Sequence, residues 1–169
     1  MSITFNADEV LEIAEQIERN GANFYRRAAK AFAQSDAHRL LTDLASWEET
    51  HEKVFADMRK ELSQREKEPV FFDPNNEAVM YLRAMADNHI FRPAAEPSEF
   101  FAGGESLEEV LRKAIQFEKD SVSFYLGMTD VVGESLGRDK VARIIQEEKR
   151  HVVMLNEKLA FRSDVTKKS

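Results

Sequence analysis

Glutamate and histidine recur in this chain at a fixed offset of 100 residues: Glu18 with Glu118, Glu48 with Glu148, and His51 with His151. The stretch from Asp8 to Tyr25 aligns without a gap on Glu108 to Tyr125, and Glu48-Glu49-Thr50-His51 aligns on Glu148-Lys149-Arg150-His151. Each copy therefore holds a Glu-x5-Phe-Tyr segment followed by Glu-x-x-His. Residues three apart on a helix lie on one face, so the Glu and His of each Glu-x-x-His can reach the same interior point. Glu18 and Tyr25, seven apart, also share a face, as do Glu118 and Tyr125. If the helices that carry them face one another, six groups converge on a bundle axis. The duplication then supplies an approximate two-fold axis between two metal ions.

A charge count favours metal at such a site. Four ionised carboxylates bring −4 and two divalent cations bring +4, while neutral imidazoles add nothing. Burying the carboxylates without a counter-charge would cost several kcal/mol each, against a domain stability of roughly 5–15 kcal/mol. An empty site would have to take up protons, admit water or loosen. Oxygen-rich ligation with one imidazole per metal suits iron or manganese, and open coordination positions would admit dioxygen or peroxide. Zinc could take the same ligands and would be redox-silent.

The elements that must position these groups are helical. A chain of 169 residues, 43% hydrophobic and 33% charged, with 6 glycines and 4 prolines, is expected to form one all-α domain over residues 1–169. Asn6, with Glu9 three residues on, is read as the cap of a first helix over about 7–33. Ser35 or Asp36 is expected to cap a second helix, about 36–65, and the short link makes the pair an antiparallel hairpin. All four prolines fall within residues 66–105, a crossover with one shorter helix at about 75–90. Ser106 and Glu109 form a second capping box, opening a helix over about 106–132 that Gly133 ends. The last helix is expected over about 135–161, followed by a polar tail. Two hairpins joined by so long a link make a four-helix bundle with one crossover.

Several classes are excluded or disfavoured. The net charge of −7 argues against a nucleic-acid or anionic-membrane partner. The absence of cysteine removes disulfides and thiolate metal sites from the chain. The first residues lack the basic and apolar regions of a signal peptide, and no run of 18 apolar residues occurs. A soluble, cytoplasmic protein is the expectation.

With Glu-x5-Phe-Tyr, Glu-x-x-His, Glu-x5-Phe-Tyr and Glu-x-x-His in that order, the chain resembles the ferritin-like di-iron carboxylate proteins, and most closely their rubrerythrin branch. The resemblance covers about residues 7–159. It implies a ferritin-like four-helix bundle holding two iron ions, with Glu48 and Glu148 bridging them, Glu18 and Glu118 as terminal ligands, and His51 and His151 completing one metal each. Tyr25 and Tyr125 would lie just outside, hydrogen-bonding to the carboxylates and screening or relaying electrons. The implied activity is reduction of hydrogen peroxide, or reaction with dioxygen, in oxidative-stress defence. Two departures stand out. Peroxide-reducing rubrerythrins carry a further Glu three residues after the ligand on the third bundle helix, where this chain has Ser121, and the rubredoxin domain that feeds them electrons is missing. A separate donor, rubredoxin-like or another reductase, would be required. The alternatives are oxidation and storage of ferrous iron, and a structural bundle held by zinc.

The remaining candidates are assigned bland roles. Glu12, Glu15, Glu49, Glu52, Glu109 and Glu147 are read as solvated helix faces. His38 and His89, which have no histidine at the repeat-related position, are read as surface or structural. Phe24, Phe124, Trp47, Met58 and Met154 are assigned to the core. Of Phe71-Phe72 and Phe100-Phe101, at least one pair is expected to make a homodimer contact.

Overall fold

The amphipathic segments of the sequence become helices that bury one stripe each. The computed structural model describes residues 7–62, 77–88, 101–132 and 137–166. Five helices lie within them: α1 (Ala7–Ala31), α2 (His38–Glu61), α3 (Glu77–Asn88), α4 (Leu107–Val131) and α5 (Arg138–Thr166). The two hairpins are α1 with α2 and α4 with α5, and each packs along its length. Side-chain pairs fix the directions. Asp8 at the start of α1 accepts from Arg59 at the end of α2, at 2.9 and 3.1 Å. His38 Nδ1, opening α2, lies 2.9 Å from the Ala29 carbonyl near the end of α1, which is a structural role for that histidine. Lys158 of α5 reaches Asp36 at 2.6 Å, and Lys140 reaches Glu61 at 3.4 Å, so α2 and α5 also run antiparallel.

The helix ends follow local chemistry, with corrections to the expected bounds. Ser106 and Glu109 close a capping box at the start of α4, each side chain serving the other's backbone N–H. For α2 the expected cap is wrong. The cap position is Ala37, without a side-chain hydrogen bond, because Ser35 Oγ accepts from the Ala37 N–H at 3.2 Å in the preceding turn and Asp36 is turned outward to Lys158. The first helix stops at Ala31, short of the expected 33, and the last runs to Thr166, past 161. Gly137 takes φ +94° just before α5, a conformation that favours glycine. The proposed cap at Asn6, Gly133, His89, Phe71, Phe72 and Phe100 lie outside the described residues.

The core keeps the repeat. Val10 and Val110, Leu11 and Leu111, Ala14 and Ala114, Phe24 and Phe124, and Tyr25 and Tyr125 are all buried. Phe101 is buried within the chain's own core, so the part of the aromatic pair at 100–101 that is described serves folding. α3 lies against α4, and Gly127 permits the approach: a Cβ there would stand 2.6 Å from the Tyr81 ring.

Gly21 makes similar room close to the glutamates. It lies one turn beyond Glu18, and a Cβ at this position would meet Phe117 Cζ at 2.4 Å. Phe117 is fully buried, edge-on to Tyr25 at 5.9 Å, and cannot withdraw without moving it. Gly21→Ala would gain up to about 1 kcal/mol of helix propensity, but overpacking costs about 1–3 kcal/mol. Urea unfolding should therefore show net destabilisation in G21A, relieved when Phe117→Leu is added; a G21A variant more stable than the parent would contradict the packing described.

Candidate metal centre

Glu18 from α1, Glu48 and His51 from α2, Glu118 from α4, and Glu148 and His151 from α5 meet in the bundle interior, none more than 4% exposed. They form two overlapping sets. Glu18, Glu48, His51 and Glu148 bring one ligand atom each to within 4.8 Å of one another, and Glu48, Glu118, Glu148 and His151 do the same. Glu48 and Glu148 belong to both sets, and their oxygens divide accordingly. Glu48 Oε2 lies 3.7 Å from His51 Nδ1 and its Oε1 lies 3.6 Å from His151 Nδ1. Glu148 Oε1 lies 2.8 Å from His51 Nδ1 and its Oε2 lies 3.0 Å from His151 Nδ1. Each of these carboxylates spans the two halves with one oxygen apiece.

Glu18 and Glu118 each serve one half. Tyr125 donates to Glu18 Oε1, and Tyr25 donates to Glu118 Oε1 at 2.5 Å. The pairing is crossed: each tyrosine shares a helix with one of these two glutamates and bonds the other. The second oxygen turns inward, Glu18 Oε2 to 3.7 Å from His51 Nδ1 and Glu118 Oε2 to 3.4 Å from His151 Nδ1. Phe24, Phe55, Phe117 and Phe124 pack around the two phenols and close this end of the site to water.

The unpartnered atoms test whether metal fits. Among the described residues, the buried side-chain polar atoms that complete no well-aligned hydrogen bond are Glu18 Oε2, both oxygens of Glu48, His51 Nδ1 and Glu148 Oε1, the last two facing each other as an ion pair at 2.8 Å. Every one belongs to the candidate ligand set. A buried polar group left unmatched costs about 1–3 kcal/mol, more if charged, and a cluster of converging lone pairs is what a cation would satisfy. The donors are carboxylate and imidazole only, a set suited to first-row transition metals.

Protons substitute for that charge when metal is absent. Burial, followed by the repulsion of Glu148, pushes Glu48 and Glu118 well above the usual carboxylate range. Burial is the largest influence on Glu148 and would raise it, but the charge of His51 and hydrogen bonds from Glu118, His151 and His51 together outweigh burial and hold this carboxyl well below its ordinary value. Burial depresses the imidazoles, yet the carboxylates prevail: His51 is raised well above 6.5 and His151 is pushed up to about 10. Tyr25 and Tyr125 are raised by burial and by Glu118 and Glu18 respectively, which keeps both phenols protonated as donors.

Two residues around the site depart from their sequence assignments. Glu147, read as solvated, accepts from His51 Nε2 at 2.8 Å while remaining 45% exposed. When the ring is neutral, this bond would keep its proton on Nε2 and leave Nδ1 facing the carboxylates. Trp47, read as core, is 37% exposed and stacks on His151 with ring centroids 5.0 Å apart and planes 10° from parallel. Both partnerships join α2 to α5, beyond the reach of spacing within one helix. Of the other glutamates read as solvated, Glu49 pairs with Arg26, Glu52 with Arg19, and Glu12 and Glu15 with Arg59, while Glu109 caps α4. Phe24, Phe124 and Met58 are core residues, and Met154 lines a surface cavity with Trp47.

No protein-family model matches the chain, and no curated protein does. Among solved structures, one described as a ferritin-like diiron-carboxylate protein from Thermotoga maritima, determined at 2.30 Å, is similar over nearly the whole length, with a TM-score of 0.72 and 23% identity. The match covers 95% of this chain and 98% of that one. The fold is thus a ferritin-like helical bundle, as the motifs led us to expect.

The proton inventory fixes a pH dependence. The raised pKa of His151 contributes stability that is complete below 6.5 and lost as pH climbs to about 10. His51 acts in the same direction, and so do Glu48 and Glu118 above their ordinary value of 4.5, whereas the contribution of Glu148 is complete above that pH and is lost as pH falls below it. The melting temperature of metal-free protein should fall between pH 6.5 and 10 and should fall much less with a bound divalent metal, which replaces the protons. Calorimetric melting across that range checks this, and a metal-free protein that becomes more stable with rising pH would refute it.

Proposed function

We propose that this chain is a rubrerythrin-like di-iron protein that reduces hydrogen peroxide, or reacts with dioxygen, using electrons from a separate donor in defence against oxidative stress. The observation that carries the reading is the pair of overlapping carboxylate and imidazole sets, with two glutamates common to both and three of the four oxygens of those shared glutamates making no hydrogen bond. Glu18, Glu48, His51 and Glu148 would hold one iron, and Glu48, Glu118, Glu148 and His151 the other. Two such ions supply two electrons when bound, the number that converts one peroxide and two protons to two waters.

The chain's own residues divide the remaining work. Tyr25 and Tyr125 hold the terminal carboxylates in place through their hydroxyl protons, and the surrounding phenylalanine rings keep water from that flank. Glu147 holds the Nε2 proton of His51. Ser121, fully buried one turn beyond Glu118, cannot offer the carboxylate that peroxide-reducing rubrerythrins have there, so metal exchange between a carboxylate and a histidine is not part of the proposal.

The electron donor in this proposal is a rubredoxin-like protein or another reductase. No helix among the described residues is long and apolar enough to cross a membrane, and a cytoplasmic location is part of the proposal. Met80 and Tyr81 on α3 and Leu126 on α4 are exposed apolar side chains that support assembly as a homodimer, and light scattering should return twice the chain mass of 19.4 kDa.

Iron-loaded protein supplied with an artificial electron donor should remove peroxide at least about tenfold faster than the His51→Ala, His151→Ala double variant. Equal rates would reject the peroxidase reading. Uptake of many irons per chain would favour iron storage instead, and redox-silent zinc in protein from iron-replete cells would favour a structural bundle.

A further inference from the structure

The two halves of the centre match in every ligand and differ just outside them. Each set holds one imidazole, one terminal glutamate and the two shared glutamates, and each terminal glutamate accepts from one tyrosine. At the residue preceding the shared glutamate the repeat breaks: position 147 is Glu and position 47 is Trp. Both face across the α2–α5 interface to the opposite histidine. Glu147 accepts the Nε2 proton of His51 at 2.8 Å, whereas Trp47 lays its indole flat on His151.

These partners have opposite effects on a metal-binding imidazole. A carboxylate on the outer nitrogen fixes the ring, makes the inner nitrogen more basic and typically strengthens metal binding 10- to 100-fold. A stacked indole covers a ring face and accepts no proton from it. The surroundings differ as well. A surface cavity of about 410 Å³, lined by Trp47, Glu147, Arg150, His151 and Met154, abuts His151 itself, whereas His51 is 1% exposed and lies behind it with ring centroids 5.8 Å away.

We infer that the two half-sites are unequal, the Glu147-supported His51 position filling first and holding its metal, and the Trp47-covered His151 position being the weaker and exchangeable one. This rests on the metal-centre reading above, with Glu147 as a positioning residue acting through His51. Trp47 makes the inference measurable, because it is the single tryptophan of the chain and its ring contacts one of the two imidazoles.

The test titrates the full-length metal-free protein with zinc, which causes no paramagnetic quenching, following heat and tryptophan emission together. Two binding steps are expected, with most of the emission change in the second. Glu147→Ala should weaken the tight step about 10- to 100-fold and bring the emission change forward to the first equivalent. Glu147→Gln, which keeps an oxygen to accept from His51 Nε2, should restore much of the order. Emission that changes equally over both equivalents, or a Glu147→Ala variant with unaltered steps, would overturn the inequality while leaving a two-metal centre intact. Failure to bind zinc at all would overturn the metal-centre reading and the inequality with it.

Discussion

Four glutamates with less than 1% of their surface exposed occupy the middle of this bundle, and their mutual repulsion is the constraint to which the rest of the fold answers. An isolated buried carboxylate is a cost of several kcal/mol, comparable with the net stability of a whole domain. Among the described residues, the bundle meets it without an arginine or lysine in the cluster. It uses two imidazoles, two phenol donors and shared protons, and leaves three carboxylate oxygens, Glu18 Oε2 and both of Glu48, without a hydrogen bond. Arginine or lysine there would satisfy the carboxylates permanently, whereas imidazoles can surrender their protons and become available to a cation.

Much of this was legible in the sequence because duplication filters noise. A glutamate in so acidic a chain means little, but Glu18, Glu48, Glu118 and Glu148 recur with a histidine pair at one offset, and a helical period puts them on inward faces. The bundle itself was legible for the same reason. The α2 cap was not, because Ser35 and Asp36 are both good capping residues and tertiary partners decided their use: Asp36 is taken by Lys158 from the far end of the chain.

Glu147 and Trp47 show a second limit. Each acts across the α2–α5 interface, on a histidine whose distance along the chain carries no periodic signal. Their departure from the repeat was visible, but a mismatch signifies nothing until the opposing helix is in place. The tyrosines are similar. Tyr25 shares a face with Glu18, and sequence spacing would pair them, yet its hydroxyl reaches Glu118.

That crossed arrangement says something about history. A lone hairpin of this design would carry a tyrosine and a terminal glutamate that do not meet, and both would be satisfied only when a second identical hairpin docked about a two-fold axis. The repeat is then best understood as a symmetric pair of peptides made continuous, with the crossover as its splice. Once joined, the halves no longer had to stay identical, and an exchange such as glutamate for tryptophan beside a ligand became possible on one side alone.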